Sequence, residues 1–198
     1  EEKADFGLAP DGDGDRLFFI DDKGQVVPAS IITGVITKEF LKDYPGGTIL
    51  FDIRYILTPR KIVEENGGKY EITKVGHAFI TETMHRTGAV FAGESSAHYF
   101  YKDAGNGENQ LMTISTVMKV MSDENKKLSE LVEEYRRSHE SGEFNFRVSN
   151  APEILQKLKE KYHDGELSEL DGIAITYPEW RFNVRTSDME HLLGLNLE

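Results

Sequence analysis

The chain has 198 residues, 38% of them hydrophobic and 29% charged, which suits one large or two small packed domains and is too apolar for a disordered chain. A net charge of −12 argues against a nucleic-acid partner held by counterion release, and the lack of cysteine removes disulfides and thiolate metal sites and fits a cytoplasmic setting. No apolar run approaches the roughly 20 residues needed to span a bilayer, so no membrane partner is expected.

In chain order, "FGLAP" (6–10) and "RLFFIDD" (16–22) read as short strands on either side of an acidic loop, "DGDGDR" (11–16), and "DDKG" marks a turn. "PASIITGVITKEFLKDYPGG" (28–47) has apolar residues at helical spacing and stops at Pro-Gly-Gly. "TILFDI" (48–53) predicts a strand, "TPRKIVEENGG" (58–68) a helix, "YEITKV" (70–75) a strand, "AFITETMHRTG" (78–88) a helix and "AVFAGE" (89–94) a strand. This alternation predicts an α/β domain with a mixed, largely parallel sheet, in which ligands bind beyond the carboxyl ends of the strands. The loops "GHA" and "GESSAH" fall there. "YKDAGNGENQ" (101–110) reads as a polar loop, followed by helical patterns near 111–122 and 127–137. After "SHESGE" the register changes to strand "FNFRV", helix "APEILQKLKEKY", strand "GIAITYP" and strand "RFNVRT", which predicts a small α+β C-terminal domain.

Five stretches carry candidate chemistry. Asp11, Asp13 and Asp15, separated by single glycines, can converge on one hard divalent cation. An EF-hand is excluded because Arg16 occupies the position that needs glycine and the flanks read as strands. An octahedral Mg²⁺ with few protein oxygens suits the spacing better than a closed Ca²⁺ cage, and a solvated acidic turn is the plain alternative. In "GESSAH" (93–98), Glu94 and Ser96 could bond vicinal sugar hydroxyls, while His98 could orient a substrate or transfer a proton. No nucleophile elbow is present, so Ser95 and Ser96 are not read as nucleophiles. His77 in "KVGHA" sits at a strand-to-helix turn, and Arg54 ends a strand where it could face a phosphate or pair with a surface carboxylate. In "VRTSDMEHLL" (184–193), Arg185 and Ser187 precede an expected helix start and offer the groups of a phosphate site, with Ser187 as a plain N-cap the alternative.

In this order and spacing the stretches resemble the α-D-phosphohexomutases, the phosphomannomutase/phosphoglucomutase family. The metal loop is "DGDGDR", the sugar-recognition loop "GESSAH", the "VGH" turn "KVGHA" and the phosphate loop "RTSDMEHLLGLN". The resemblance implies the end of a metal-loop domain at 1–28, a sugar-recognition α/β domain at 29–139 and a phosphate-binding α+β domain at 140–198. It further implies a reaction that interconverts hexose 1-phosphates and 6-phosphates of glucose or mannose through a phosphoserine and a bisphosphorylated sugar. Mg²⁺ would rest on Asp11, Asp13 and Asp15, with Arg16 beside it. Glu94 and Ser96 would hold sugar hydroxyls, His77 and His98 would line the site, Arg54 would stand at a position basic in many members, and Arg185 and Ser187 would clamp the far phosphate. Two departures stand out. No Ser-His-Asn segment for the phosphoserine occurs, and the sequence opens on "EEKADFG" without Met, so the chain is expected to be a fragment inactive by itself. The phosphate loop carries Asp188, Met189, His191 and Gly194 where the family has Asn, Thr, Pro and Arg, which depletes its donors. A non-catalytic relative that binds metal and phosphosugar is the second reading; gluco or manno preference and oligomeric state are not fixed by the sequence.

Overall fold

The computed structural model describes residues 3–186 and 192–198. They form two compact units: residues up to Asp52 together with Ile56–Arg137, and Ile53–Tyr55 together with Ser138–Glu198.

The first unit begins with a hairpin of β1 (Gly7–Pro10) and β2 (Leu17–Ile20). Then come α1 (Ala29–Asp43), β3 (Thr48–Asp52), α2 (Leu57–Glu65), β4 (Lys69–Thr73), α3 (His77–Thr87), β5 (Phe91–Gly93), β6 (Tyr99–Tyr101), a 3₁₀ turn at Lys102–Ala104, β7 (Gly107–Glu108), α4 (Gln110–Glu124) and α5 (Leu128–Tyr135). The sheet order is β4-β3-β5-β6-β7, parallel among β4, β3 and β5 and antiparallel from β5 to β7. The expected mixed α/β sheet is therefore present, but β6 occupies Tyr99–Tyr101, for which the sequence predicts no strand, and β7 lies within what reads as a polar loop.

Strand alternation assigns the two faces of this sheet. Ile49 and Phe51, Phe91, Tyr99 and Tyr101 point into a large core with Ile31, Ile32, Val35 and Ile36 of α1 and with Ile62 and Val63 of α2. Leu50, Ala92 and Phe100 point the other way, onto Ile80 and Met84 of α3. Helix α1 is buried on nearly every side from Ala29 to Thr37, which marks it as a central helix rather than a surface one. Helix α4 starts where the Asn109 side chain accepts the Met112 amide at 3.0 Å, and α5 where Glu130 reaches back to the Lys127 amide at 2.8 Å.

The second unit holds β8 (Glu143–Arg147), α6 (Ala151–Lys161), β9 (Glu166–Ser168), β10 (Ile173–Thr176), β11 (Arg181–Thr186) and β12 (Leu192–Leu197). Its sheet is wholly antiparallel, in the order β8-β12-β11-β10-β9. Ile154, Leu155 and Leu158 of α6 pack on Ile173, Ile175, Phe182, Val184 and Leu193. The opposite face buries polar groups: Arg181 pairs with Glu198 at 2.8 Å, each side chain 1% exposed, and Asn183 donates to the Ile173 carbonyl at 3.1 Å. The helix expected soon after residue 187 is corrected from Leu192 onward. That stretch is a strand, held on both sides by pairing with β11 and β8, and two ladders outweigh a local capping pattern.

Candidate functional site

The parallel strands β3, β4 and β5 end at Asp52, Thr73 and Gly93, and the turns leaving β4 and β5 build the site together with the hairpin loop.

Asp11 shapes that loop. Its Oδ1 accepts the amides of Gly14 and Arg16, each at 3.2 Å, and Gly14 adopts a left-handed φ of 77° that lets the loop curl. Arg16 Nε stands 3.5 Å from Asp11 Oδ2. Burial raises the Asp11 pKa, but the two amides and the Arg16 charge more than offset it, so the carboxyl stays below its ordinary value. One carboxylate oxygen each from Asp11, Asp13 and Asp15 lies within 4.8 Å of the other two. Three hard oxygen donors, two on exposed residues and open to water, fit Mg²⁺, which keeps several waters and takes few protein ligands.

The "GESSAH" stretch is a tight turn from β5 to the antiparallel β6. The Glu94 amide donates to the His98 carbonyl and the Ala97 amide to the Glu94 carbonyl, both at 2.9 Å, with Ala97 left-handed at a φ of 68°. Glu94 is 2% exposed, and its Oε1 accepts the Gly76 amide at 2.9 Å. His98 Nδ1 lies 3.0 Å from both Glu94 Oε2 and Ser96 Oγ, while its Nε2 is 3.4 Å from Asp15 Oδ1. Burial lowers the His98 pKa, the Glu94 hydrogen bond and charge and the Asp15 charge raise it, and the balance lies above the ordinary value. The imidazole is thus oriented at one nitrogen and directed at the acidic loop with the other.

Two hydrogen bonds fasten the hairpin to this turn region. The Leu17 amide donates to the Ala97 carbonyl at 2.9 Å, and Gln110 Nε2 donates to the Asp15 carbonyl. His77, at the start of α3, is mostly exposed; its Nδ1 is 2.7 Å from Glu108 Oε1 and its ring meets the edge of Phe100.

Asp11, Asp13, Asp15, Arg16, His77, Glu94, Ser96 and His98 therefore all belong to the first unit. Arg54 and Arg185 belong to the second. The Arg54 carbonyl accepts Arg181 Nη1 at 3.0 Å, and Arg185 Nε stands 3.4 Å from Asp171 Oδ2. Ser187, Asp188, Met189 and His191 lie outside the described residues, and Gly194 sits on β12 opposite Arg185. Three groups escape sequence reasoning. Asp52, fully buried at the end of β3, accepts the Ser95 amide; Gly76 anchors Glu94; Glu108 and Gln110 reach in from beyond β6. A carboxylate closing the apolar run "TILFD" is the one signal that marked any of them.

The family model described as phosphoglucomutase/phosphomannomutase, alpha/beta/alpha domain III, matches residues 29–138. A phosphomannomutase of Methanocaldococcus jannaschii is 42% identical over 198 residues, covering 100% of this chain and 44% of the relative. A phosphomannomutase of Escherichia coli is 36% identical over 201 residues, again covering 100% of this chain and 44% of the relative. Among solved structures, a phosphoglucomutase/phosphomannomutase family protein from Burkholderia thailandensis superposes with a TM-score of 0.87 at 28% identity, over 100% of this chain and 43% of that one. The chain spans less than half the length of the curated relatives it matches.

Proposed function

Because this chain belongs to the phosphoglucomutase/phosphomannomutase family, we propose that it supplies the metal-binding, sugar-recognising and phosphate-facing parts of an enzyme that interconverts hexose 1-phosphates and hexose 6-phosphates. On this reading residues 1–28 close the metal-loop domain, 29–139 recognise the sugar and 140–198 face the phosphate. The observation that carries it is the fastening of the three-Asp loop to the Glu94–His98 turn, through Leu17 to Ala97 and Asp15 to His98.

In the proposed reaction a sugar hydroxyl oxygen bonds to phosphorus as the serine Oγ–P bond breaks, and the hydroxyl proton leaves; the bisphosphate later returns its other phosphoryl to the serine. Asp11, Asp13 and Asp15 would hold Mg²⁺, which neutralises charge on a transferring phosphoryl. Arg16 adds a cation beside them. His98, held at Nδ1, directs Nε2 at Asp15 of the acidic loop, 3.4 Å away, and would exchange the hydroxyl proton there once substrate displaces that contact, while Ser96 and Glu94 hold sugar hydroxyls on a turn that Glu94 itself keeps rigid. His77 lines the same loops. Arg54, Arg185 and Ser187 are assigned to the phosphate that does not react. No Ser-His-Asn segment occurs in the 198 residues, so these residues alone are expected to convert no substrate.

Calorimetric titration of the chain tests this. Mg²⁺ should bind weakly, at about millimolar Kd as for water-rich sites, and Asp13→Asn should abolish that binding. Glucose or mannose phosphates should bind the parent, while Glu94→Gln loses the sugar and keeps Mg²⁺. Binding of Mg²⁺ that survives Asp13→Asn, or sustained mutase turnover by the pure chain, would overturn the assignment. Metal and sugar binding without turnover when the remaining segments are supplied would favour the non-catalytic relative, a reading for which the Asp171 carboxylate beside Arg185 speaks.

A further inference from the structure

The second sheet ends in a strand that no other strand covers among the described residues. β8 is outermost in its sheet, and all five of its residues are exposed. An edge strand leaves alternate N–H and C=O groups open to pairing, and proteins blunt such edges with proline, lysine or a bulge. β8 has none of these. It reads Glu-Phe-Asn-Phe-Arg and pairs with β12 without a break in register, from Arg147 opposite Leu192 to Glu143 opposite Asn196.

Its side chains alternate between faces. Phe144 and Phe146 stand opposite Leu195 and Leu193, on the face that α6 covers further along the sheet, yet they remain 49% and 52% exposed. Glu143 and Asn145 lie on the other face, over Gly194, where the missing Cβ leaves them room. Neither Glu143 nor Arg147 forms an ion pair among the described residues.

These five residues complement themselves about a two-fold axis through Asn145. Turned antiparallel on itself, the strand sets Glu143 opposite Arg147 twice and Phe144 opposite Phe146 twice, with Asn145 meeting its own copy. A parallel alignment instead sets Glu on Glu and Arg on Arg, and a slip of one residue brings phenylalanine against the polar face. We propose that β8 is a dimerisation edge whose partner is a second copy of this chain, joined antiparallel about Asn145 so that the two sheets run on as one. Such an isologous contact gains main-chain hydrogen bonds from the edge and specificity from the charge pairing.

Sedimentation of the 198-residue chain over a range reaching about 100 µM should show a reversible dimer, in the weak range expected of a small contact. Glu143→Arg and Arg147→Glu should each weaken it by about tenfold or more, because each places like charges opposite one another twice. Mixed in equal amounts, the two single variants should form a heterodimer at parental affinity, since every opposed pair is then of opposite sign. Circular dichroism of each variant separates lost pairing from lost folding, and the mixing arm requires both variants to fold. A chain monomeric throughout the range would overturn the proposal. So would variants that dimerise as the parent does, or a mixture that gains nothing over its components.

Discussion

Replacing Gly93 by alanine tests how the sugar-loop turn is held in place. A Cβ there would fall 2.0 Å from Thr33 Oγ1, 2.7 Å from its Cγ2 and 2.8 Å from its Cβ, more than an ångström short of the ordinary 3.4–4 Å at the worst contact. Thr33 is 1% exposed within α1, and Gly93 lies in the middle of the sheet between Phe51 and Tyr99, so neither partner has space to yield. Overpacking by a methyl group in a dense core costs about 1–3 kcal/mol, and this contact belongs at the upper end. At about 2–4 °C per kcal/mol for a chain of this size, the midpoint of thermal unfolding should fall by roughly 6–12 °C. Because Gly93 precedes Glu94, a displaced strand would also part Glu94 from the Gly76 amide, and sugar-phosphate binding should weaken in step. Thermal melts followed by circular dichroism, with the double variant Gly93→Ala/Thr33→Ala alongside, give the measurement. The second substitution removes the two closest atoms but leaves a Cβ at 2.8 Å, so it should restore part of the loss. A single variant within about 0.5 kcal/mol of the parent, or a double variant no better than the single, would refute the steric argument.

Two further outcomes rest on buried and half-buried charge. Arg181→Met leaves the Glu198 carboxylate without its 2.8 Å partner in a site where each side chain is 1% exposed, and should destabilise the second unit by about 3–5 kcal/mol; replacing both residues by apolar ones should cost less, and a loss under about 1 kcal/mol for the single change would show that Glu198 finds water. Burial raises the pKa of Glu39, but Lys119 and Lys42 more than offset it and hold the carboxyl below its ordinary 4.5. A depressed folded-state pKa gives stabilisation that is present above the ordinary value and lost as pH falls through the folded one. Glu39→Gln should thus cost about 0.2–1 kcal/mol at neutral pH and progressively less as pH falls below the ordinary 4.5, and an effect that does not shrink with acidification would refute the pairing.

How much of this was legible in the sequence depended on the range of the interactions. The acidic loop and the "GESSAH" turn declared themselves because their ligand and hydroxyl groups are neighbours in the chain. The helices declared themselves because a 3.6-residue period needs no partner, and α1, α2 and α3 fall within a few residues of where that period places them. Strand β6 was hidden. "YFY" is too short to show a period, and the turn before it relies on Ala97 in a left-handed conformation, a residue that carries no turn signal. The strand at β12 was hidden because the two ladders that make Leu192–Leu197 a strand lie elsewhere in the sequence. The partners of Glu94 and Ser95, namely Gly76 and Asp52, are set by sheet order, and the sequence flags only Asp52, as a carboxylate closing an apolar run, without naming what it meets.

The hairpin that opens the chain has a consequence for how the molecule is divided. The family match begins at residue 29, yet Leu17, Phe19 and Val27 are buried members of the core packed around α1. The border of the family match thus cuts across one packed core. A ligand that prefers the folded state raises its stability by mass action. A cation captured by the Asp loop, outside the border, would for that reason delay the melting of the α/β layers inside it. Occupancy of one loop and the integrity of the whole first unit are then a single equilibrium read at two places.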